Sequence, residues 1–424
     1  MLIATTLAAS SLIALAILHL MAARFFSGVL ASGQRSVNPA FQPSTAVLMS
    51  VRGCDPSLEK CLRGLLDQTC ENYRVHVIVD HVSDDAWGRV HQIKREFDSR
   101  DRIVVLELEQ PGDSCSLKCS ALIQGLGKLS GEPELVVLID ADVIPHREWL
   151  MQAISPLEDP SVGVVTGNQW FEPEGRSVGS LMRSLWNAGS LVPTATLANP
   201  WAGTCAMRLA DVGESGLVEV WKRSIVDDGP IREAYRPLGK QIVFNPDLIM
   251  VNRENCTVGY VNRYVPRMLT WSRIHEPTFV HTLLYTVILV GCWLATGGLM
   301  VAGLLTGQWA ALIIGAAGMA ANTGLNLLAY LMIRRSIQGI GIRPRTVGHP
   351  HGLGPLGAGR IVRLAALIPV CQLAFGAWMV RALLTRRVHW RQITYEVRAS
   401  DQIRMVRYRP MNAGLDPTVS EVSI

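Results

Sequence analysis

The sequence lacks charged residues over two long stretches, although lysine, arginine, aspartate and glutamate make up 18% of its 424 residues. None of the four occurs from residue 2 to residue 23, or between Pro277 and Ile333. A transmembrane helix needs about 20 apolar residues, so the first stretch has room for one crossing and the second for two. These absences exclude a wholly soluble chain and predict membrane spans.

The first stretch also lacks the marks of a cleaved signal peptide. No positively charged segment precedes it, and it is longer than the apolar part of such a peptide. We therefore expect an uncleaved anchor at residues 1–25. A C-terminal membrane region is expected at 277–385, with two or three spans. The third apolar stretch, Leu364 to Val380, is interrupted by Pro369, so it either spans the bilayer or lies in it as a re-entrant segment.

Basic residues beside these stretches predict the orientation of the chain. Cytoplasmic loops are enriched in lysine and arginine, and the residues that define this side are Arg24, Arg35, Arg263, Arg267, Arg273, Arg334 and Arg335. Residues 30–275 are thus expected in the cytoplasm, below an inner or plasma membrane. Arginines border the last apolar stretch on both sides, so the C-terminal tail, 386–424, is left unassigned.

Neither the net charge nor the cysteines indicate another class of site. The net charge of +5 is small, and much of it borders the apolar stretches, which favours contact with anionic lipid headgroups and not with nucleic acid. The nine cysteines show no zinc-like pairing. A cytoplasmic domain would keep them reduced.

Residues 40–260 alternate between two kinds of segment. Apolar, β-branched runs predict strands at 45–51, 73–79, 102–107 and 135–139, and amphipathic segments predict helices at 56–69, 84–98 and 116–128. This alternation predicts an α/β domain with a mostly parallel sheet covered by helices on both faces. Ligands bind such sheets at the carboxyl ends of the strands, where Asp80, Asp140 and Asp142 fall.

Two acidic pairs are candidates for the chemistry. Asp140 and Asp142 end an apolar run, and two carboxylates at a strand tip suit Mg²⁺ or Mn²⁺, which bridges protein to phosphate. Aspartates also gather in turns for hydrogen bonding alone. The second pair, Asp227-Asp228, could be only a helix cap. Together the pairs predict a metal site for a diphosphate and, at Asp228, a general base for an acceptor hydroxyl.

Further segments carry motifs of one known family. They are Ala46–Pro56 with Arg52-Gly53-x-Asp55-Pro56, Tyr73–Asp80 followed by Asp84-Asp85-Ala86, Ser116–Leu122 with Lys118, and Gly203-Thr204-x-x-x-Arg208. With the acidic pairs they resemble the glycosyltransferase family 2 superfamily, in the branch of ceramide glucosyltransferases and hopanoid glycosyltransferases. The resemblance extends from about residue 45 to residue 397.

The resemblance implies a nucleotide-diphospho-sugar transferase domain of the GT-A, Rossmann-like type with transmembrane helices at both ends. It also implies that Asp80 and Lys118 hold the nucleoside, that Asp140 and Asp142 hold the divalent metal, and that Asp228 is the base. Trp390-Arg391 through Tyr395 resembles an element found after the last span in this branch, for which no role is implied.

One motif departs from the family. Arg267-Met268-Leu269-Thr270-Trp271 resembles Gln/Arg-x-x-Arg-Trp, with Thr270 in place of the second arginine. The missing guanidinium would have offered fixed donors near the diphosphate, a gap that Arg263, Arg267 or Arg273 could fill. The same segment, 261–276, mixes arginines with aromatic and aliphatic residues, as an interfacial amphipathic helix does. Arg267 and Trp271 therefore have two readings, donor binding and membrane docking.

We expect a metal-dependent, inverting hexosyltransferase that moves a sugar from a nucleotide donor, a UDP-sugar, to a hydroxyl of a ceramide- or hopanoid-like lipid. One alternative is a processive polysaccharide synthase, against which the few spans and Thr270 argue. The other is an inactive, membrane-anchored nucleotide-binding scaffold. Against it stand the retained aspartates Asp80, Asp140, Asp142 and Asp228.

Overall fold

A seven-stranded mixed sheet forms the centre of the molecule. The computed structural model describes residues 1–32, 37–129, 131, 133–197, 199–341 and 353–411. The strands are β1 (Thr45–Val51), β2 (Tyr73–Val79), β3 (Ile103–Glu107), β4 (Leu135–Ile139), β5 (Val162–Phe171), β6 (Thr204–Arg208) and β7 (Gln241–Asn252). They lie in the order β3-β2-β1-β4-β6-β5-β7, and β6 runs antiparallel to both of its neighbours while the other pairs are parallel.

Thirteen α-helices are found within the described residues. They are α1 (Leu2–Ser32), α2 (Leu58–Leu66), α3 (Asp85–Phe97), α4 (Leu117–Gly127), α5 (Trp149–Ile154), α6 (Val178–Thr196), α7 (Leu209–Glu214), α8 (Leu217–Trp221), α9 (Gly229–Tyr235), α10 (Val258–His275), α11 (Phe279–Leu305), α12 (Trp309–Gly341) and α13 (Ala358–Leu384). The four predicted strands β1 to β4 and the predicted helices α2 to α4 are confirmed. Side-chain caps fix two of the helix starts, since Asp84 accepts from the Ala86 amide and Ser116 from the Cys119 amide.

The alternation of apolar residues along the strands gives the sheet two buried faces. Val47 and Met49 of β1 point into a core that α2, α3 and α5 cover. Leu48, between them, points to the opposite face, which is covered by α4, α8 and α9. Because both faces are buried, the strands are apolar at nearly every position, as is typical of sheets covered on both sides.

A second, three-stranded sheet near the C-terminus was not predicted. It contains β8 (Arg387–Trp390), β9 (Ile393–Ala399) and β10 (Gln402–Arg407), all antiparallel, in the order β10-β9-β8. Arg391 and Gln392 form the turn between β8 and β9, with φ of 40° and 66°. The sheet packs beside α4, where the Leu117 amide donates to the Tyr395 hydroxyl at 3.1 Å. Part of the predicted tail is therefore folded onto the α/β domain; residues 412–424 lie outside the described part.

Four helices, α1, α11, α12 and α13, are at least 27 residues long and apolar enough to cross a membrane. They indicate an integral membrane protein. The stretch Leu364–Val380 lies within α13, which continues through Pro369. In the α1–α12 contact, a Cβ on Gly318 would lie 2.5 Å from that of Ala9, so only glycine permits this approach. Of the residues used for orientation, Arg35 lies outside the described residues, as does most of the loop between α12 and α13.

The α/β domain and the membrane helices are joined by a buried ion-pair group. Glu172, just after β5, is bound by the Arg334 guanidinium of α12 at 2.9 Å and lies 3.3 Å from that of Arg360 in α13. The Trp170 indole also donates to Glu172 at 3.1 Å. Helix α10 packs against α6 and α13 through residues such as Val261 and Val265. The sheet is thereby held directly at the ends of the spans.

Candidate active site

Two carboxylates lie at the carboxyl end of β4, as the sequence predicts. Burial, together with the charges of Asp140, Asp55 and Glu254, raises the pKa of Asp142 to about 7. Among the described residues no group donates a hydrogen bond to the Asp142 carboxylate. The β4 end therefore concentrates negative charge that a cation would relieve.

Lys118 connects the first acidic pair to the second. Its ammonium lies 2.5 Å from Asp140 Oδ1 and 2.8 Å from Asp227 Oδ2. Burial lowers the pKa of Lys118, but Asp140 and Asp227 outweigh it and raise this pKa well above its ordinary value. Lys118 is thus a fixed positive charge between the pairs. Its contacts are with these carboxylates, and its predicted role in holding the nucleoside stays a prediction.

Asp228 lies at the start of α9, beside Asp227. Its Oδ1 accepts from the Gly229 amide at 2.7 Å, so it is a helix cap, as one reading of the sequence had it. Burial, together with the charge of Asp227, raises its pKa to about 7. A carboxylate with a pKa near neutrality is well matched to general base catalysis at physiological pH, so the cap and the predicted base are compatible in one residue.

At the end of β2, Asp80 is buried and already paired. Arg52 forms an ion pair with it, and the Tyr408 hydroxyl donates to its Oδ1 at 2.8 Å. The Arg52 guanidinium also donates to the carbonyl oxygens of Arg391 at 2.7 Å and Arg409 at 2.6 Å. Burial raises the pKa of Asp80, and Arg52 opposes that shift. The C-terminal sheet and the segment after it thus close this end of the site.

Sequence reasoning missed Arg52, Tyr408 and Arg391 as members of the site. Arg52 and Arg391 stand in motifs that the sequence displays, but nothing in the sequence places the two motifs together. Tyr408 follows the last described strand and carries no local signal. The turn at Arg391 has a positive φ, which is rare outside glycine and marks a backbone held by its surroundings.

Arg267 and Trp271 of α10 lie in different surroundings. The Arg267 guanidinium lies over the Tyr264 ring, 5.8 Å from its centre. Trp271 packs against the apolar cluster formed with the C-terminal sheet. Thr270, at the departure from the family motif, is buried and donates to the Pro266 carbonyl at 2.7 Å. Neither the donor-binding nor the membrane-docking role of α10 is tested by these contacts, and both stay predictions.

Asp140 and Asp142 fit a divalent metal by their chemistry. Mg²⁺ and Mn²⁺ need only one or two protein carboxylates, with water and phosphate as the remaining ligands. Within the described residues no group of three or more histidine, cysteine, aspartate or glutamate side chains is arranged to hold a metal. The observation that favours a cation here is that burial and the neighbouring carboxylates both raise the Asp142 pKa.

The chain resembles several known glycosyltransferases. Over 148 residues it is 26% identical to glycosyltransferase AglE of Haloferax volcanii. The aligned part covers 34% of this chain and 46% of that protein, so the chain spans about half the length of this relative. Similar solved structures include a mannosyltransferase and a glucosyl-3-phosphoglycerate synthase. Mannosyltransferase PcManGT from Pyrobaculum calidifontis, in complex with GDP-Man and Mn²⁺, is 17% identical, covers 89% of this chain and 98% of its own, and has a TM-score of 0.48. Glucosyl-3-phosphoglycerate synthase from Mycobacterium tuberculosis, in complex with phosphoglyceric acid, is 17% identical, covers 56% of this chain and 83% of its own, and has a TM-score of 0.35.

The model of one family covers almost the whole chain, including the four long apolar helices and both sheets as far as the start of β10. It matches residues 3–403 and describes glycosyl transferase family 21. The glycosyltransferase part of the sequence resemblance is thereby confirmed, and with the mixed α/β sheet and four long apolar helices so is the predicted fold class. The hopanoid part stays a prediction. The chain belongs to glycosyl transferase family 21.

Proposed function

We propose that this protein is a metal-dependent, inverting glycosyltransferase that moves a sugar from a nucleotide sugar, a UDP-sugar, to a hydroxyl of a ceramide- or hopanoid-like membrane lipid. The observation that carries the proposal is the chain Asp140–Lys118–Asp227, with Asp228 beside it. It brings a carboxylate pair suited to a metal diphosphate next to a carboxylate suited to act as a base.

In the proposed reaction, the acceptor hydroxyl attacks the anomeric carbon as the bond to the leaving nucleoside diphosphate breaks. Asp228 accepts the proton of the hydroxyl. Because the hydroxyl attacks opposite the leaving group in a single displacement, the configuration at the anomeric carbon is inverted. A divalent metal bound to Asp140 and Asp142 would supply charge neutralisation for the leaving diphosphate. Lys118 holds Asp140 and Asp227 in place, and Asp80 is proposed to read the base of the nucleotide.

A lipid acceptor is favoured by where Asp228 lies. Its neighbour Gly229 is so close to α10 that an added Cβ would lie 2.9 Å from that of His275. His275 is the last residue of α10, and α11 begins shortly after it, at Phe279. The base therefore lies against the segment that enters a span. With the catalytic domain on the cytoplasmic side of an inner or plasma membrane, a headgroup hydroxyl in the leaflet could reach it.

The test is transfer from radiolabelled nucleotide sugars to native membrane lipids by the purified full chain in detergent, with Mg²⁺ or Mn²⁺ and after removal of metal by chelation. Asp228→Asn is compared with Glu233→Gln, an exposed carboxylate on the same helix. We expect a labelled lipid that requires metal, is lost in Asp228→Asn by about 10²- to 10⁴-fold, and is kept in Glu233→Gln.

Three other outcomes would contradict the proposal. Normal turnover by Asp228→Asn would remove Asp228 as the base. A labelled polymer in place of a lipid would indicate a processive synthase. Metal-dependent binding of a nucleotide sugar without transfer or hydrolysis would indicate an inactive scaffold.

A further inference from the structure

Arg183 is a fully buried arginine whose charge is incompletely paired. It lies on α6 with 0% of its surface exposed. Its Nη2 donates to the Glu254 carbonyl at 2.6 Å, but Nε and Nη1 have no hydrogen-bond partner among the described residues. A buried guanidinium with unused donors costs free energy, and such groups in folded proteins are normally paired with an anion.

The surrounding polar atoms are unpaired as well. In the part of the chain that is described, the Tyr260 hydroxyl, Arg267 Nε and Glu254 Oε2 also lack hydrogen-bond partners. Arg183 lies over the Phe171 ring at 4.2 Å and near the Tyr260 ring at 5.6 Å. We call Arg183, Glu254, Tyr260 and Arg267 the unpaired cluster. Both guanidinium groups act on the Tyr260 hydroxyl, and each keeps at least one buried nitrogen without a hydrogen-bond partner in the described residues.

The unpaired cluster lies within electrostatic range of Asp142, at the end of β4. Glu254 is among the charges that raise the pKa of Asp142. Tyr264, one turn from Tyr260 on α10, connects them: burial raises its pKa to about 12, Arg267 and Arg183 oppose this shift, and Asp142 adds to it. One side chain thus lies within electrostatic range of both arginines and of Asp142.

We propose that Arg183 and Arg267 form a phosphate-binding site, with the Tyr260 hydroxyl as a further donor. A guanidinium presents parallel N–H groups that match two phosphate oxygens. The site would supply the guanidinium that the family motif lacks at Thr270, whose hydroxyl is bound to its own helix. The phosphate comes from the donor diphosphate or from a phosphorylated lipid headgroup. The choice between these two sources rests on the proposed function. The existence of the site does not, because the experiment measures pyrophosphate binding without turnover.

The experiment is calorimetric titration of the full chain in detergent at low salt, with pyrophosphate and Mg²⁺. Arg183→Gln removes the charge, Arg183→Lys keeps it without the paired donors, and Arg176→Gln is the matched control on an exposed arginine just before α6. We expect pyrophosphate to bind about 10- to 100-fold more weakly to Arg183→Gln, less so to Arg183→Lys, and equally to Arg176→Gln. Rising salt should weaken binding to the unsubstituted protein more than to Arg183→Gln.

Two competitors distinguish the sources. Displacement of pyrophosphate by UDP, with the same loss in Arg183→Gln, assigns the phosphate to the donor; displacement by dihexanoyl phosphatidate alone assigns it to a lipid. If Arg183→Gln does not fold, Arg267→Gln, which loses no hydrogen bond, makes the same comparison. Equal pyrophosphate affinity in the arginine variants and the unsubstituted protein, or no binding to the latter, would overturn the inference. Transfer that fails while Arg183-dependent binding persists would refute the proposed function and leave this site standing.

Discussion

The two ends of the candidate site differ in how their charges are paired. At the β2 end, Asp80 and Arg52 have side chains that are 0% and 1% exposed, and each has partners. At the other end, Asp228 accepts only a backbone amide, Asp142 accepts no hydrogen bond in the described structure, and Arg183 keeps two donors unused. A paired end has its charges compensated before any ligand arrives. An unpaired end gains its missing partners when a ligand binds, which is where binding energy can be directed to the reaction.

Arg52→Met should break the paired end and give the largest effect. The substitution leaves the Asp80 carboxylate buried without its ion-pair partner, which typically costs about 3–5 kcal/mol. We expect a much lower melting temperature in detergent and faster proteolysis within β8 to β10. Arg63→Met is the control, because Arg63 is exposed and its pair with Glu59 is a surface pair. Equal melting temperatures for the two variants would show that the β2 end is not held by this ion pair.

The pH dependence of transfer sharpens the description of the unpaired end. Burial and the charge of Asp227 raise the pKa of Asp228 to about 7, so below this pH the proposed base would be protonated and inactive. We expect the rate at saturating metal to be level above pH 7 and to fall about tenfold per pH unit below it. The residual rate of Asp228→Asn should lack this fall. If the variant shows the same slope, the titrating group is another one.

Tyr408→Phe should have the smallest effect, since it removes one of several contacts at the paired end. Loss of the hydroxyl that donates to Asp80 should lower stability by about 1 kcal/mol, because Arg52 remains. Tyr235→Phe is the matched control: its buried hydroxyl has no hydrogen-bond partner in the described residues, so its removal should cost nothing. Thermal unfolding measures both, and a Tyr408→Phe that unfolds like Tyr235→Phe would mean that the Tyr408 contact contributes no stability.

The sequence predicted the parts of this site that local pattern encodes. Apolar runs gave β1 to β4, and the aspartates after β2 and β4 fall at the same sheet edge for that reason. The link from Lys118 to Asp227 and the closure over Asp80 were not predictable, because each joins residues more than 100 positions apart. Arg183 carried no signal at all, since a missing hydrogen-bond partner is a property of packing.

The contact between Arg52 and the Arg391 and Arg409 carbonyls also has a consequence for synthesis. Arg52 leaves the ribosome early, whereas the two carbonyls that complete its hydrogen bonds come after every membrane helix has been made. These hydrogen bonds of Arg52 therefore form only after the chain has been made as far as Arg409. A chain that stalls or is cut before residue 409 lacks part of the β2 end, so this end of the site is completed only after the four long apolar helices have been synthesised.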